Sequence, residues 1–307
     1  RCAMESYKFI LDLAIILLST KICGLVSKRV HMPQVVGALL AGLLLGPAML
    51  GVLTETDFIK ELSELGVIVL MFCAGLETDI KEMKKCGKAY MIIAVIGVIV
   101  PLVGGFLIAD IFNRPGLMES NAICSHTLQN VFIGIILTAT SVSITVETLK
   151  ELGKLSTGAG NAILGAAVID DILGIIALTI ITSMADDSVK IGVVLIKILL
   201  FFVFAAVVAF VVYKWFMGWT RKYNKNLQRF VVISFVFCLV MAFCSEYFFG
   251  VADITGAYVA GMIITNSDKT KYISSRFETL SYLLLSPVFF ASIGIQVELP
   301  KMSKTLV

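Results

Sequence analysis

Residues 161–182 read NAILGAAVIDDILGIIALTIIT, and two adjacent aspartates, Asp170 and Asp171, stand in the middle of that apolar run. One ionised carboxylate near the centre of a bilayer costs about 2.5–3.5 kcal/mol on insertion scales. Two neighbours repel each other as well. Such a pair persists only if it is protonated, pairs with a cation, or alternates between the two. That alternation is the chemistry that cation:proton exchange requires, so this run is the first candidate for a functional site.

The rest of the chain supplies the membrane setting. Hydrophobic residues make up 58% of the 307 and charged residues 15%, with a mean hydropathy of +0.96. Soluble domains hold roughly 45–50% apolar and about 25% charged residues. A spanning helix needs about 20 mostly apolar residues. Ten such stretches are legible, at roughly 9–27, 33–53, 62–76, 89–112, 128–149, 158–184, 191–216, 229–248, 251–265 and 280–299. They are too long and too uniformly apolar for the alternating strands of a membrane barrel. The expected fold class is therefore an all-α polytopic membrane protein.

Net charge is +3, which argues against a nucleic-acid partner. No Walker-type phosphate loop occurs and no soluble domain is long enough to hydrolyse ATP, so transport would run on an ion gradient. Seven cysteines (Cys2, Cys23, Cys73, Cys86, Cys124, Cys238, Cys244) follow neither metal-ligand nor disulfide spacing and read mostly as small packing residues. With ten spans, sixteen lysines and arginines fall in the loops of one side and seven on the other. The richer side is expected to face the cytoplasm, which puts the N-terminus outside. Lys21 and Lys197 lie within spans near helix ends, where snorkelling explains them.

Gly37-Ala-Leu-Leu-Ala-Gly42 in the second stretch matches Gly256-Ala-Tyr-Val-Ala-Gly261 in the ninth, and Gly75 in the third matches Gly294 in the tenth. Both matches share an offset of 219 residues. Seven crossings separate the copies, an odd number, so they enter the membrane from opposite sides, as in secondary transporters built from inverted repeats. A first unit of about 33–185 would have its copy from 252 to about 404. The expectation is ten of thirteen membrane helices in this chain, with the partners of spans four to six beyond Val307.

Span five adds hydroxyls. Thr138, Thr140, Ser141, Ser143 and Thr145 fall within eight residues at mid-membrane depth. Back-bonding to carbonyls one turn earlier accounts for one or two of them; a broken helix whose free carbonyls and hydroxyls surround a cation accounts for all. Neighbours on a helix point about 100° apart, so Asp170 and Asp171 need separate partners. Asp171 is assigned to the carried ion and Asp170 to a supporting basic group. Asn161 reads as a packing or helix-start residue. Glu77, Asp79 and Glu147 sit at cytoplasmic helix ends, either simply solvated or lining an acidic funnel. His31 and His126 read as solvated loop histidines.

The strings TATSVSITVETLKELGK (138–154), AAVIDDILGI (166–175), MFCAGLETDI (71–80) and SPVFFASIGIQVEL (286–299) resemble the monovalent cation:proton antiporters, in the NapA-type and Kef-type branch. The resemblance runs along essentially the whole chain. It implies an inverted-repeat antiporter fold with a core and a dimerisation domain, working by elevator-like alternating access as a homodimer. It divides the chain into scaffold helices over 1–87, half of an ion-binding core over 88–185, a linker helix and loop over 186–228, and further scaffold over 229–307. It implies that Asp171 binds sodium or a proton with Asp170 beside it. An Asp-Asp pair is similar to that of electrogenic sodium exchangers, where Kef-type proteins have Gln-Asp and electroneutral relatives Asn-Asp. The resemblance also sets a lysine and a second broken helix against this site, both from beyond Val307.

The function expected is sodium (or lithium)/proton antiport in a bacterial plasma membrane, with Na⁺ and H⁺ as cargo and no cofactor or enzymatic activity. Potassium/proton exchange or Kef-like potassium efflux is the alternative. An intramembrane aspartyl protease needs carboxylates converging from two helices, which adjacent aspartates on one helix do not provide.

Overall fold

The computed structural model describes residues 7–78, 80–113, 125–185, 191–222, 227–265 and 267–298, and every regular element among them is helical. In chain order these are α1 (Lys8–Arg29), α2 (Gln34–Leu45), α3 (Asp57–Glu77), α4 (Ile80–Phe112), α5 (His126–Ile136), α6 (Val142–Glu151), α7 (Gly158–Ala185), α8 (Ile191–Lys222), α9 (Gln228–Phe249), α10 (Asp253–Ile264), α11 (Thr270–Leu280) and α12 (Ser286–Ile295). A single π turn, Ser281–Leu285, joins α11 to α12.

Among the described residues six helices are long and apolar enough to cross a membrane: α1, α4 through its 87–112 part, α7, α8, α9 and the continuous Thr270–Ile295 rod. The other four stretches fold differently from full spans. α2 and α10 are apolar but hold 12 residues each, about 18 Å at 1.5 Å per residue. Gly46 takes extended backbone at the end of α2, and Pro47 after it has no N–H to continue the ladder. α3 runs for 21 residues but opens on Asp57, Lys60, Glu61 and Glu64, with Thr56 capping it by accepting the Ile59 amide at 3.3 Å. The stretch 128–149 is two helices, α5 and α6.

The packing of α2 on α12 and of α3 on α10 rests on backbone contacts that only glycine permits. A Cβ on Gly42 (α2) would collide with the Ala291 carbonyl of α12, and one on Gly294 (α12) with the Leu39 carbonyl of α2. A Cβ on Gly261 (α10) would collide with the Phe72 carbonyl of α3, and one on Gly75 (α3) with the Tyr258 carbonyl of α10. Each crossing maps onto the other when 219 is added to one partner and subtracted from the other. Gly66 of α3 meets Leu285, its own counterpart at that offset. The contacts therefore exchange as two-fold related packing requires, and the shared offset in sequence is a shared surface in three dimensions.

Around these crossings lies a core containing Phe72, Tyr258, Phe277 and Phe290, all buried. Phe72 and Phe277 pack at 4.9 Å between ring centroids. Cys73 and Cys238 are buried in it, and Cys23 and Cys244 are half-buried; all four are free thiols. Cys2, Cys86 and Cys124 lie outside the described side chains. The remaining helices form a second group: α4 packs on α5 and α7, α6 packs on α7, and α6 also reaches α2 and α3. Their outward faces are apolar, as at Ile92, Ile96, Val100 and Leu107 of α4, which suits a lipid surround.

The glycine crossings generate a stability prediction. Gly75→Ala forces the α3 and α10 backbones apart and lowers the unfolding free energy by about 1–3 kcal/mol. Gly97→Ala, on the exposed face of α4 with open space around it, leaves stability unchanged or raises it by up to about 1 kcal/mol through helix propensity. Thermal melts of the two purified variants in one detergent check the contrast.

Candidate ion-binding site

Between α5 and α6 the helical ladder stops. α5 ends at Ile136, Leu137 and Thr138 make a tightened last turn, and α6 begins at Val142. The Thr138 amide bonds to the Ile135 carbonyl at 3.0 Å and its hydroxyl donates to the same oxygen at 2.7 Å. Ser141 then takes extended backbone (φ −84°, ψ 100°) and caps α6, its hydroxyl accepting the Ile144 amide at 3.4 Å. Hydroxyl side chains offer the backbone local partners that compete with a helix. Five of them within eight residues weaken the helix here.

Thr140, in the extended segment, donates its hydroxyl to Asp170 Oδ2 at 3.0 Å. The other carboxyl oxygen of Asp170, Oδ1, is enclosed and has no hydrogen-bond partner. Leaving a buried polar atom unpaired costs about 1–3 kcal/mol, more if it carries charge. Asp171 is half-buried on the adjacent face of α7, close enough to Asp170 for their charges to interact. Among the described residues no lysine or arginine acts on either carboxyl. The N-terminus of α6 stands beside the pair, since its cap follows Thr140 directly, and its dipole favours negative charge there. The carboxyl pair thus stands beside backbone released from a helix, with one enclosed oxygen unmet.

The other expected hydroxyls are placed differently. Thr138 is buried with its hydroxyl turned back onto α5, Ser141 caps α6, and Ser143 is buried in the first turn of α6. Asn161 is fully buried in the first turn of α7, its amide bonded to the Thr157 carbonyl at 2.8 Å. His126 is not a free loop histidine. It opens α5, its Nε2 meets the Asn113 carbonyl, and its Nδ1 faces the Asn130 amide at 3.5 Å. Asn130 is also bonded to Asn113 and Asp110. His31 adopts positive φ in the exposed turn between α1 and α2. Lys197 is exposed on α8. Lys21 meets the Tyr282 hydroxyl and lies 4.5 Å from its ring centroid, a fixed position that snorkelling alone does not describe.

The acidic helix ends form a cluster with members that the sequence did not single out. Glu77 at the end of α3 hydrogen-bonds Glu278 of α11, with Lys150 and Glu147 of α6 nearby. α10 fixes this end of α3: Thr265 donates to the Leu76 carbonyl at 2.6 Å, and Thr78 and Tyr258 share a hydrogen bond at 3.0 Å. Asp79 lies outside the described residues. Glu278 and Lys150 lie 128 residues apart in the chain with no shared pattern; only folding brings α3, α6 and α11 to one point.

The family described as "Sodium/hydrogen exchanger, transmembrane" matches residues 15–306. The chain is 38% identical over 290 residues to the probable Na(+)/H(+) antiporter GerT of Bacillus cereus, covering 94% of this chain and 74% of the relative. It is 36% identical to the Na(+)/H(+)-K(+) antiporter GerN of the same organism, covering 95% and 72%. It is 35% identical to a Na(+)/H(+) antiporter of Enterococcus hirae, covering 97% and 76%. Among solved structures, the sodium proton antiporter MjNhaP1 of Methanocaldococcus jannaschii shares the fold with a TM-score of 0.65 at 17% identity, covering 96% of this chain and 72% of that one. This chain belongs to the sodium/hydrogen exchanger family, and it is an all-α polytopic membrane protein of that group of ion transporters.

Glu77 stands one residue beyond the apolar stretch 62–76. Burial pushes its carboxyl up from 4.5 to about 7; Lys150 opposes the rise, and the charge and hydrogen bond of Glu278 add to it. Between those two values the folded state holds more protons than the unfolded one, so stability falls as pH rises. Glu77→Gln removes that titration. The melting midpoint of the variant should fall less between pH 5 and pH 8 than that of the wild type. The difference is of order 1 kcal/mol after solvent screening, read from thermal melts at the two pH values.

Proposed function

We propose that this protein is a secondary active antiporter that exchanges sodium or lithium for protons at Asp171, with Asp170 and the Thr140 segment completing the site. The observation that carries this reading is the Thr140–Asp170 hydrogen bond at the break between α5 and α6, with the second Asp170 oxygen enclosed and unpartnered. A half-buried carboxyl with one enclosed, unmet oxygen is stabilised by a proton or a cation, and one site that takes either couples their movements. The names of GerT and the Enterococcus hirae relative support the choice of ions. The Asp-Asp pair favours electrogenic exchange, because two carboxyls release more than one proton for each monovalent ion admitted. Thr138, Ser141 and Ser143 act here by shaping the break, and Glu77, Glu147 and Asp79 by lining the cytoplasmic approach.

The wider architecture belongs to the same proposal. The paired crossings of α2 with α12 and α3 with α10 make a scaffold of inverted repeats, in keeping with a homodimer of thirteen-helix protomers in a bacterial plasma membrane with an outer N-terminus. The group α4–α7 is the moving core. Potassium/proton exchange is the second reading, and the 36% identity to GerN, a Na(+)/H(+)-K(+) antiporter, favours it.

Dye quenching in everted vesicles with Na⁺, Li⁺ and K⁺ separates the readings: recovery with sodium and lithium but not potassium is expected. Asp171→Asn abolishes recovery without unfolding the protein, since nothing else exchanges the proton; sodium-driven recovery in that variant removes Asp171 from the site. Thr140→Ala raises the apparent KM for sodium roughly twofold to tenfold, the net loss of one solvent-exposed hydrogen bond, with a smaller effect on maximal rate.

A further inference from the structure

The break that places Thr140 beside Asp170 leaves α6 as a separate rod of ten residues, about 15 Å long. One end of the rod is the ion site. The other end is Glu151, and its carboxylate crosses to a different helix. Glu151 Oε2 accepts the backbone N–H of Gln34 at 2.7 Å and Oε1 accepts Gln34 Nε2 at 3.1 Å. Gln34 is the first residue of α2, whose own cap, Pro33, makes no side-chain capping bond and whose first turn holds no acidic residue. Glu151 therefore does for α2 what a local cap and a first-turn carboxylate ordinarily do, but from another helix, 117 residues along the chain.

The surroundings show what this contact holds. A cavity of about 490 Å³ flanks it, lined by Gln34, Val35 and Ala38 of α2 and by Glu147, Lys150 and Glu151 of α6, with α1, α11, α12 and the π turn closing the rest. Close-packed interfaces resist sliding because every side chain is wedged. Here α6 touches α2 along part of its length, a cavity opens beside that contact, and the bidentate Glu151 contact spans its edge. The first turns of α6 are fixed differently, with Val142 and Val146 buried in the main core.

We propose that Glu151 is a positioning residue: it anchors the far end of α6 to the N-terminus of α2, and the anchor releases when the α4–α7 group moves against the scaffold. This rests on the alternating-access reading above and deepens it, because α6 then links occupancy of the aspartate pair at one end to the scaffold at the other. The anchor is exposed to solvent, so its strength is that of a screened helix-end interaction and it opens readily. A tight buried pair there would hold the core in one place.

Two measurements test it in the intact protein. In the first, Gln34→Cys and Glu151→Cys are bridged by a short, reducible bis-methanethiosulfonate reagent in everted vesicles, with reagent-treated wild type as the control for the native cysteines. Bridging should cut the sodium-driven dye response at least tenfold, and reduction should restore it. Full exchange by protein shown by mass spectrometry to be bridged overturns the proposal. In the second, Ala38→Cys reports opening of the cavity by its rate of labelling with a membrane-impermeant maleimide. Adding Glu151→Ala should speed labelling roughly two- to fivefold, and Glu151→Gln, which keeps an acceptor but loses the charge, should fall between. Equal rates in all three overturn it. The labelling arm needs no transport, so an unmodified protein that exchanges no sodium counts against the antiport reading and leaves this one to be decided by labelling.

Discussion

The Thr140–Asp170 hydrogen bond exists because the backbone between α5 and α6 is not helical, and most of the site follows from that. In an apolar surround a helix satisfies its own amides and carbonyls, so a break is tolerated only where other groups take over. Thr138 and Ser141 do so at the two new helix ends, one hydroxyl on the Ile135 carbonyl and one on the Ile144 amide. Thr140, between them, is left free to face α7. The break also turns α6 into a short lever with its own N-terminal dipole near the carboxyl pair and its own anchor at Glu151.

The glycine crossings solve a different problem. Water is absent from the bilayer core, so apolar burial contributes little to helix association there, and close van der Waals contact carries more of it. Glycines at the α2–α12 and α3–α10 crossings let backbones touch carbonyl to Cα, and the exchange of these contacts at one offset gives two equivalent crossings from one short motif. Thr265 and the Thr78–Tyr258 pair then pin the end of α3. That pinning holds Glu77 against Glu278 and Lys150, the second place where charged groups gather.

The two charged regions contrast in their surroundings. At the aspartate pair, Thr140 supplies one hydrogen bond and an enclosed oxygen is left over. At the Glu77 cluster a carboxyl–carboxyl hydrogen bond and a nearby ammonium share the charge among several groups.

The sequence by itself determined the membrane class, the aspartate pair, the hydroxyl-rich segment and the 219-residue repeat, because these depend on composition and on residues close in the chain. An Asp-Asp pair in an apolar run is anomalous wherever it folds, and a glycine spacing repeats whether or not its partners are known. Tertiary structure decided which hydroxyl reaches the aspartates, because Thr138, Thr140 and Ser141 are equivalent in type and are told apart only by where the helix stops. It decided that Gly42 meets α12 and Gly75 meets α10, that His126 joins a network with Asn113, Asn130 and Asp110, and that Glu151 crosses to Gln34. It also decided that Glu278 and Lys150 complete the cluster at Glu77. Each of these pairs residues on different helices through contacts of a few ångströms, and local pattern holds no information on which helix ends meet.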